Sequence, residues 1–462
     1  MIFVLLLLLT APLAAAPADW VPVRWPWTAP ESLELLKDSP VNCLLIDWAG
    51  SEPARPLLAE ARKRGVVTLA VVYPKSEPVQ ASRDAIEAGF QGIVLEGDFP
   101  DDGAAKVRKA LDGRKATVIE LTSRLHMRMG SAAEVLGTYQ GVWPGIQILA
   151  DGTAKGGPTG SPWIDTNTGF LRAAHAWSNA TIWIANRPPE KVVVTTRRYL
   201  QVISDAAMSG GRWVVALDPD LTARLDKREP DAMKTWAGIS GLLRFLESHK
   251  EWRGLRTSGK LLVIQNADSG SLLSGGILDM IAVKHTPVRP VTTDRLNADS
   301  LKDVTMAVNV DPSALSDEDK ALLRSFTRGG GTLLSGPPGW KQDFKPDQVT
   351  LDEKQLLRIN DIWKEVNQMI GRSNLGARLF NVSTMLSNLL SEPGSEAVTV
   401  HLVNYSEYPV EWVAVHTLGQ YKNVRLYTPE GGEKSLEPYK TDEGGTGVDI
   451  PSLSVWATLR LN

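Results

Sequence analysis

The sequence is short of the residues that announce most kinds of chemistry. It holds one cysteine, Cys43, inside the apolar run VNCLLI. No internal disulfide can form, and Cys43 reads as a small buried hydrophobe. There is no HExxH and no clustered His/Cys spacing, so no metal site is expected. No GxSxG elbow is present, which removes the usual serine-hydrolase signal. No GxGxxG or P-loop follows any strand, and no cofactor is expected. The formal net charge is only −3, with no basic run or stripe. That argues against a nucleic-acid partner. A membrane-length apolar run is missing too, since Ile2–Leu9 is too short to span a bilayer.

What stands at the amino terminus instead is MIFVLLLLLTAPLAAAPADW. A short apolar core followed by the small-x-small triplet Ala16-Pro17-Ala18 is the pattern of a secretory signal peptide, residues 1–18. It lacks the usual Lys or Arg at its start, and no Cys marks a lipoprotein cleavage point. The expectation is a secreted or periplasmic protein with no stable membrane insertion after cleavage. A retained anchor is the alternative.

At 462 residues the chain exceeds one ordinary core, and two to four domains are expected. Its 15 Trp are unusually many and lie along its whole length. Core filling is the first reading of each. Stacking platforms in an open cleft are the functional one.

From Trp20 to Asp218 apolar runs alternate with helical patterns. The runs are VPVRW, VNCLLIDW, VVTLAVVY, GIVLEGD, ATVIEL, GIQIL, TIWIAN and WVVALD. A weak helix is expected near 132–139, and APESLELLKDSP reads as a helix. Strands apolar on both faces suit a parallel sheet covered by helices. Eight such units predict an α/β fold, a (β/α)8 barrel over residues 19–253. A doubly wound open sheet is the structural alternative. In a barrel the loops after the strand carboxyl ends build the active site.

Acidic groups gather at those ends. The second run closes in Asp47-Trp48, the fourth in Glu96 and Asp98, the fifth in Glu120, the seventh in Asn186-Arg187 and the eighth in Asp218. Carboxylates accept sugar hydroxyls, and indole faces cover the apolar side of a pyranose. Glycoside hydrolysis needs two carboxylates, one to protonate the leaving oxygen and one as nucleophile or base. Glu96 is read as the general acid, with Glu120 or Asp218 as its partner. Asp47, Trp48, Asp98, His126, Trp143, Asp165, Asn186 and Arg187 are candidate substrate-binding residues. Each has a plainer reading. Asp98 and Asp218 sit before turns where acids cap helices, and His126 reads first as a surface histidine and second as a ligand of a substrate hydroxyl.

Beyond the barrel, KLLVIQN, PVRPVTTDRL, VTMAVNVDP and GTLLSGPPGW read as strands of a second α/β domain, residues 254–345. The helix LSDEDKALLRSFTRGGG opens on Ser316 with Asp319 three residues on, a capping arrangement. Its GGG follows the helix instead of opening one, so it reads as a C-cap and turn. Residues 346–393 form a connector. The tail 394–462, with VTVHLVNY, VEWVAVHTLG, VRLYTPE, GVDIP and VWATLRLN, alternates short strands with turns, as in an antiparallel β-sandwich.

This order carries a resemblance. A secreted barrel, then a domain with LLRSFTRGGGTLL, then a β-domain with HLVNYSEYPVEWVAVHTLG and LYTPEG resembles the glycoside hydrolase superfamily, in particular family 42-type β-galactosidases. There the middle domain resembles a flavodoxin-like glutamine amidotransferase fold that has lost its catalytic residues. The resemblance implies an oligosaccharide or glycoside substrate, no cofactor, and a middle domain used for packing or homo-oligomer contact. It implies an acid/base Glu at the end of strand four, matched by Glu96 without the usual preceding Asn. It implies a nucleophile Glu at the end of strand seven, where this chain has Asn186-Arg187-Pro188. The departure leaves a second reading from another class, a catalytically silent carbohydrate-binding barrel.

Overall fold

A computed structural model describes residues 16–48, 50, 55–75, 77–100, 102–144, 146–148, 154–156, 166–189, 192–265, 286–310, 312–335, 364–366, 368–371, 376–382, 384–392 and 394–462. The chain forms two compact units, residues 1–120 and 121–462.

The first unit is built on strands β1 (Pro22–Arg24), β2 (Cys43–Asp47), β3 (Val67–Val72) and β4 (Gly92–Glu96), paired side by side in parallel. Residues Cys43 to Ile46, Val67 to Val72 and Gly92 to Leu95 are all buried. That is why these runs read as continuously apolar. Helices α1 (Arg55–Lys63), α2 (Pro78–Ala88) and α3 (Gly103–Ala110) connect them. On α1 the buried side chains are Leu57, Leu58 and Ala61, one stripe of the helix. Gly89, at φ 115°, ends α2 in the left-handed conformation that glycine adopts without penalty. The stretch Pro30–Leu36 is a 3-10 helix of seven residues, where the sequence pattern predicts an ordinary helix.

Strand β5 (Thr117–Thr122) begins the series that continues into the second unit with β6 (Val135–Thr138), β7 (Thr181–Ala185) and β8 (Arg212–Val214). These pair in parallel in that order. The sheet has eight strands, β1 to β8 in sequence order, the arrangement of a (β/α)8-like barrel. The sixth strand differs from the expected one. GIQIL is not in this sheet; Ile146–Ile148 pairs antiparallel with Ala154–Gly156 in a separate two-stranded sheet. The sixth position is taken by Val135–Thr138, in a stretch whose Ala132, Ala133 and Glu134 favour a helix. Pairing with β7 from Val135 opposite Thr181 to Thr138 opposite Ile184 overrides that local preference. Helices α4 (Thr168–Trp177), α5 (Thr196–Met208), α6 (Pro219–Asp226) and α7 (Pro230–Ser248) complete this part.

Farther along, β9 (Leu261–Gln265), β10 (Val288–Thr292), β11 (Met306–Asn309) and β12 (Thr332–Ser335) form a parallel sheet in the order β10-β9-β11-β12. Helix α8 (Asp317–Arg328) packs on it through Leu323. Its amino end carries a full capping box, Ser316 Oγ accepting from the Asp319 amide and Asp319 accepting from the Ser316 amide. Gly329 to Gly331 follow its last turn, as expected of a C-cap. Residues 266–285 and 336–363, with Asp268 and Asp279, lie outside the described residues.

The tail makes two antiparallel sheets. One runs 256–257, 385–391, 398–404, 456–461, 424–428, 432–436; the other 377–380, 410–417, 446–453, 439–440. Val400, Leu402 and Leu459 from the first share a core with Val413, Val415, Val448 and Ile450 from the second.

Candidate functional site

Register places one group of polar side chains together. Arg24 stands opposite Leu45, and Leu45 opposite Leu69, which stands opposite Gly92. Side chains alternate with period two, so Asp47, Tyr73 and Glu96 share the face on which Arg24 lies. All four stand at the carboxyl ends of β1 to β4. Arg24 and Glu96 form an ion pair. Their strands are three places apart, roughly 14 Å along a flat sheet at ~4.8 Å per strand. Two side chains meet over that span only if the sheet curls toward them, so this is the concave face.

Arg24 is 7% exposed at its side chain, Glu96 12% and Asp47 53%. Asp47 Oδ1 lies 4.0 Å from Arg24 Nη1 and accepts from the Tyr73 hydroxyl at 2.8 Å. One guanidinium is thus flanked by two carboxylates, one buried and one open to water. Among the described residues no group of His, Cys, Asp and Glu has the arrangement of a metal site.

Two glycines shape the site. A Cβ on Gly92 would lie 2.5 Å from the Thr117 carbonyl oxygen, so glycine here lets the chain of β5 come close. Gly97, directly after Glu96, has φ +120° and turns the chain against Pro74, where a Cβ would clash at 2.7 Å. The run that ends in Glu96 is bounded by glycine at both ends for these reasons.

An ion-paired carboxylate accepts hydrogen bonds, so Glu96, read from sequence as the general acid, stands in this structure as the acceptor of Arg24. The expected partners are each engaged by other groups. Glu120 is held by Arg108 of α3 at 2.6 Å, and the same arginine donates to the Val118 carbonyl. Asp218 is fully buried and caps α6, its Oδ1 accepting from the Leu221 amide at 3.0 Å. Its Oδ2 accepts from the Tyr199 hydroxyl at 2.8 Å and the Val194 amide at 3.3 Å. Both oxygens are engaged, so Asp218 is a structural cap.

The aromatic platforms fall away in the same manner. Trp48 stacks edge-on against buried Phe90 at 5.5 Å, and its indole nitrogen is buried. Trp143 is a core residue, 5% exposed, wedged between Tyr199 and Trp213, with its N–H donating to the Arg187 carbonyl. Asp98 is half-buried just past β4. His126 is exposed, with Nδ1 2.7 Å from Ser123 Oγ. Asn186 donates to the Gly141 carbonyl at 2.7 Å, and Arg187 is exposed. Asp165 and Trp163 lie outside the described residues. Arg24 and Tyr73 had a sequence signal: a charge inside VPVRW and a hydroxyl closing VVTLAVVY, each at the end of a buried strand.

No family model matches the chain, and no curated protein matches it. Solved structures do. Alpha-L-fucosidase isoenzyme 2 from Paenibacillus thiaminolyticus superposes with TM-score 0.63 at 9% identity, over 96% of this chain and 99% of that one. The maltogenic alpha-amylase AmyB from Thermotoga neapolitana gives TM-score 0.34 at 9% identity over 95% and 99%. A trehalulose synthase mutant in complex with Tris gives 0.38 at 9% over 96% and 99%. The last two scores are too low to carry an argument. The fucosidase alignment, spanning nearly the whole of both chains, shows that this chain has the fold of that glycoside hydrolase, a (β/α)8-like barrel with antiparallel sheets at the carboxyl end.

Proposed function

We propose that the protein is a glycoside hydrolase-like, carbohydrate-active protein whose site is the concave face at the ends of β1 to β4. The observation that carries this is Arg24 flanked by Glu96 and Asp47. Oxygens held against the two amino nitrogens of one guanidinium are at most roughly 9 Å apart, within the reach of two carboxylates acting on one glycosidic bond. Glu96 is the nucleophile or water-activating base, Asp47 the second carboxylate, and Arg24 positions both. The fold shared with the fucosidase supports a sugar substrate.

Finer readings go with it. The amino-terminal apolar run and Ala16-Pro17-Ala18 support secretion. The strand order β10-β9-β11-β12 is the first part of a flavodoxin-like order and supports an amidotransferase-like middle domain without chemistry of its own. The shared core of the two tail sheets supports a β-sandwich. Together these keep the family 42-type resemblance as the working frame.

The test is a panel of aryl glycosides offered to the purified chain. Glu96→Gln should lower turnover by roughly 10²–10⁴-fold, with Asp47→Asn similarly impaired. Equal turnover by wild type and Glu96→Gln refutes the assignment. A wild type that binds oligosaccharide and cleaves none supports the silent binding barrel.

A further inference from the structure

A cavity of about 170 Å³ lies inside the second unit among the ends of α4 and α5, the 252–257 segment, β10 and the six-stranded tail sheet. Four arginines face it, Arg172, Arg253, Arg256 and Arg289, and none of its described lining residues is acidic. Arg253 is paired with Glu247. Arg289 donates to the Lys302 and Ser300 carbonyls, and burial, only partly offset by the Asp303 charge, holds its pKa below the ordinary arginine value. Among the described residues, Arg256 reaches the Asn179 side-chain oxygen at 3.4 Å and its neighbour's carbonyl at 3.5 Å. The surplus in the cavity is positive. His175 on its wall reports that field: burial first, and then the Arg256 charge, hold it down to about 4.

Among the described residues, Ser209 Oγ and Asn388 Oδ1 are among the buried polar atoms of the same wall that have no hydrogen-bond partner. Asn388 is 2% exposed and its amide nitrogen is already spent on the Met208 carbonyl. An acceptor left bare in this way is costly unless something donates to it. Guanidiniums answer an oxyanion, and Asn388 Oδ1 answers a hydroxyl. At roughly 30 Å³ per water, the cavity has room for about six waters, or a solute of similar bulk.

We propose that this cavity binds a small hydroxylated oxyanion, a three- or four-carbon phosphate ester or hydroxy acid. Arg256 and Arg289 meet the charge, and Asn388 accepts from a hydroxyl. The site is separate from the carboxylate pair, and its test reads binding without reference to hydrolysis.

Titration calorimetry on the full chain with glycerol 3-phosphate, tartrate, inorganic phosphate and neutral glycerol tests it. Expected are one site per chain for glycerol 3-phosphate or tartrate, tighter than inorganic phosphate, and no binding of glycerol. Which of the first two binds more tightly separates ester from acid. Arg256→Gln should weaken binding by roughly tenfold or more, and Asn388→Ala should erase the preference over inorganic phosphate. Arg256 is exposed, so that variant keeps the fold; circular dichroism confirms it. No saturable binding at millimolar ligand, or equal binding by wild type and Arg256→Gln, overturns the proposal.

Discussion

The guanidinium of Arg24 at the end of β1 and the carboxylate of Glu96 at the end of β4 meet in an ion pair across two intervening strands. Both side chains are largely withdrawn from water, so each is the other's main compensation for burial. Removing one partner leaves the other charged and exposed to a poor solvent. Arg24→Met should cost about 3–5 kcal/mol in urea unfolding. The double variant Arg24→Met/Glu96→Gln should recover much of that loss. A double variant whose cost is the plain sum of the two single costs shows that the pair is not coupled.

Asp218 separates the capping role from a catalytic one. Asp218→Ala removes the α6 cap and takes away the carboxylate to which the Tyr199 hydroxyl donates, leaving that hydroxyl only the bond it accepts from the residue 218 amide. The expected loss is about 2–4 kcal/mol of stability. Any glycosidase turnover per folded molecule should stay within a few-fold of wild type. A drop of several hundred-fold in a fully folded variant returns Asp218 to the catalytic set.

Trp143 behaves as core. Trp143→Ala should destabilise by about 3–5 kcal/mol, because the ring fills the space between Tyr199 and Trp213. Sugar affinity of the folded protein should not change. A variant with native stability and lost sugar binding reverses that reading.

Acid should destabilise the protein through its buried histidines. Burial holds His401 down to about 3 and His175 to about 4, against an ordinary value of 6.5. The folded state then binds fewer protons than the unfolded chain below 6.5. Their contribution is complete above that pH and is lost as pH falls toward the folded values. Asp205 works the other way. Its carboxyl is fully buried and, against the Tyr405 and Asn167 hydrogen bonds, burial lifts it to about 6. Its share is present below about 4 and lost as pH rises through 6. From pH 7 to pH 5 the net loss should be roughly 2–3 kcal/mol in urea midpoints. His401→Phe should shrink that difference by about half or more. An unchanged difference means His401 is not a source.

The sequence by itself determined most of the kinds of element and seven of the eight barrel strands. Runs such as VTLAVV are apolar on both faces, and few environments other than a covered parallel sheet accept them. It also determined local features that need only a few neighbouring residues, such as the Ser316–Asp319 capping box. The sixth strand escaped because four residues after Ala-Ala-Glu carry little periodicity, and its identity comes from pairing with β7. The site escaped for a related reason. A carboxylate at a strand end looks the same whether it meets an arginine of the preceding helix, as Glu120 does, caps the next helix, as Asp218 does, or faces the concave side, as Glu96 does. Only register, sheet curvature and the position of Arg24 distinguish the three. Those are set by hydrogen bonds and packing between segments far apart in the chain, which no local pattern of residues encodes.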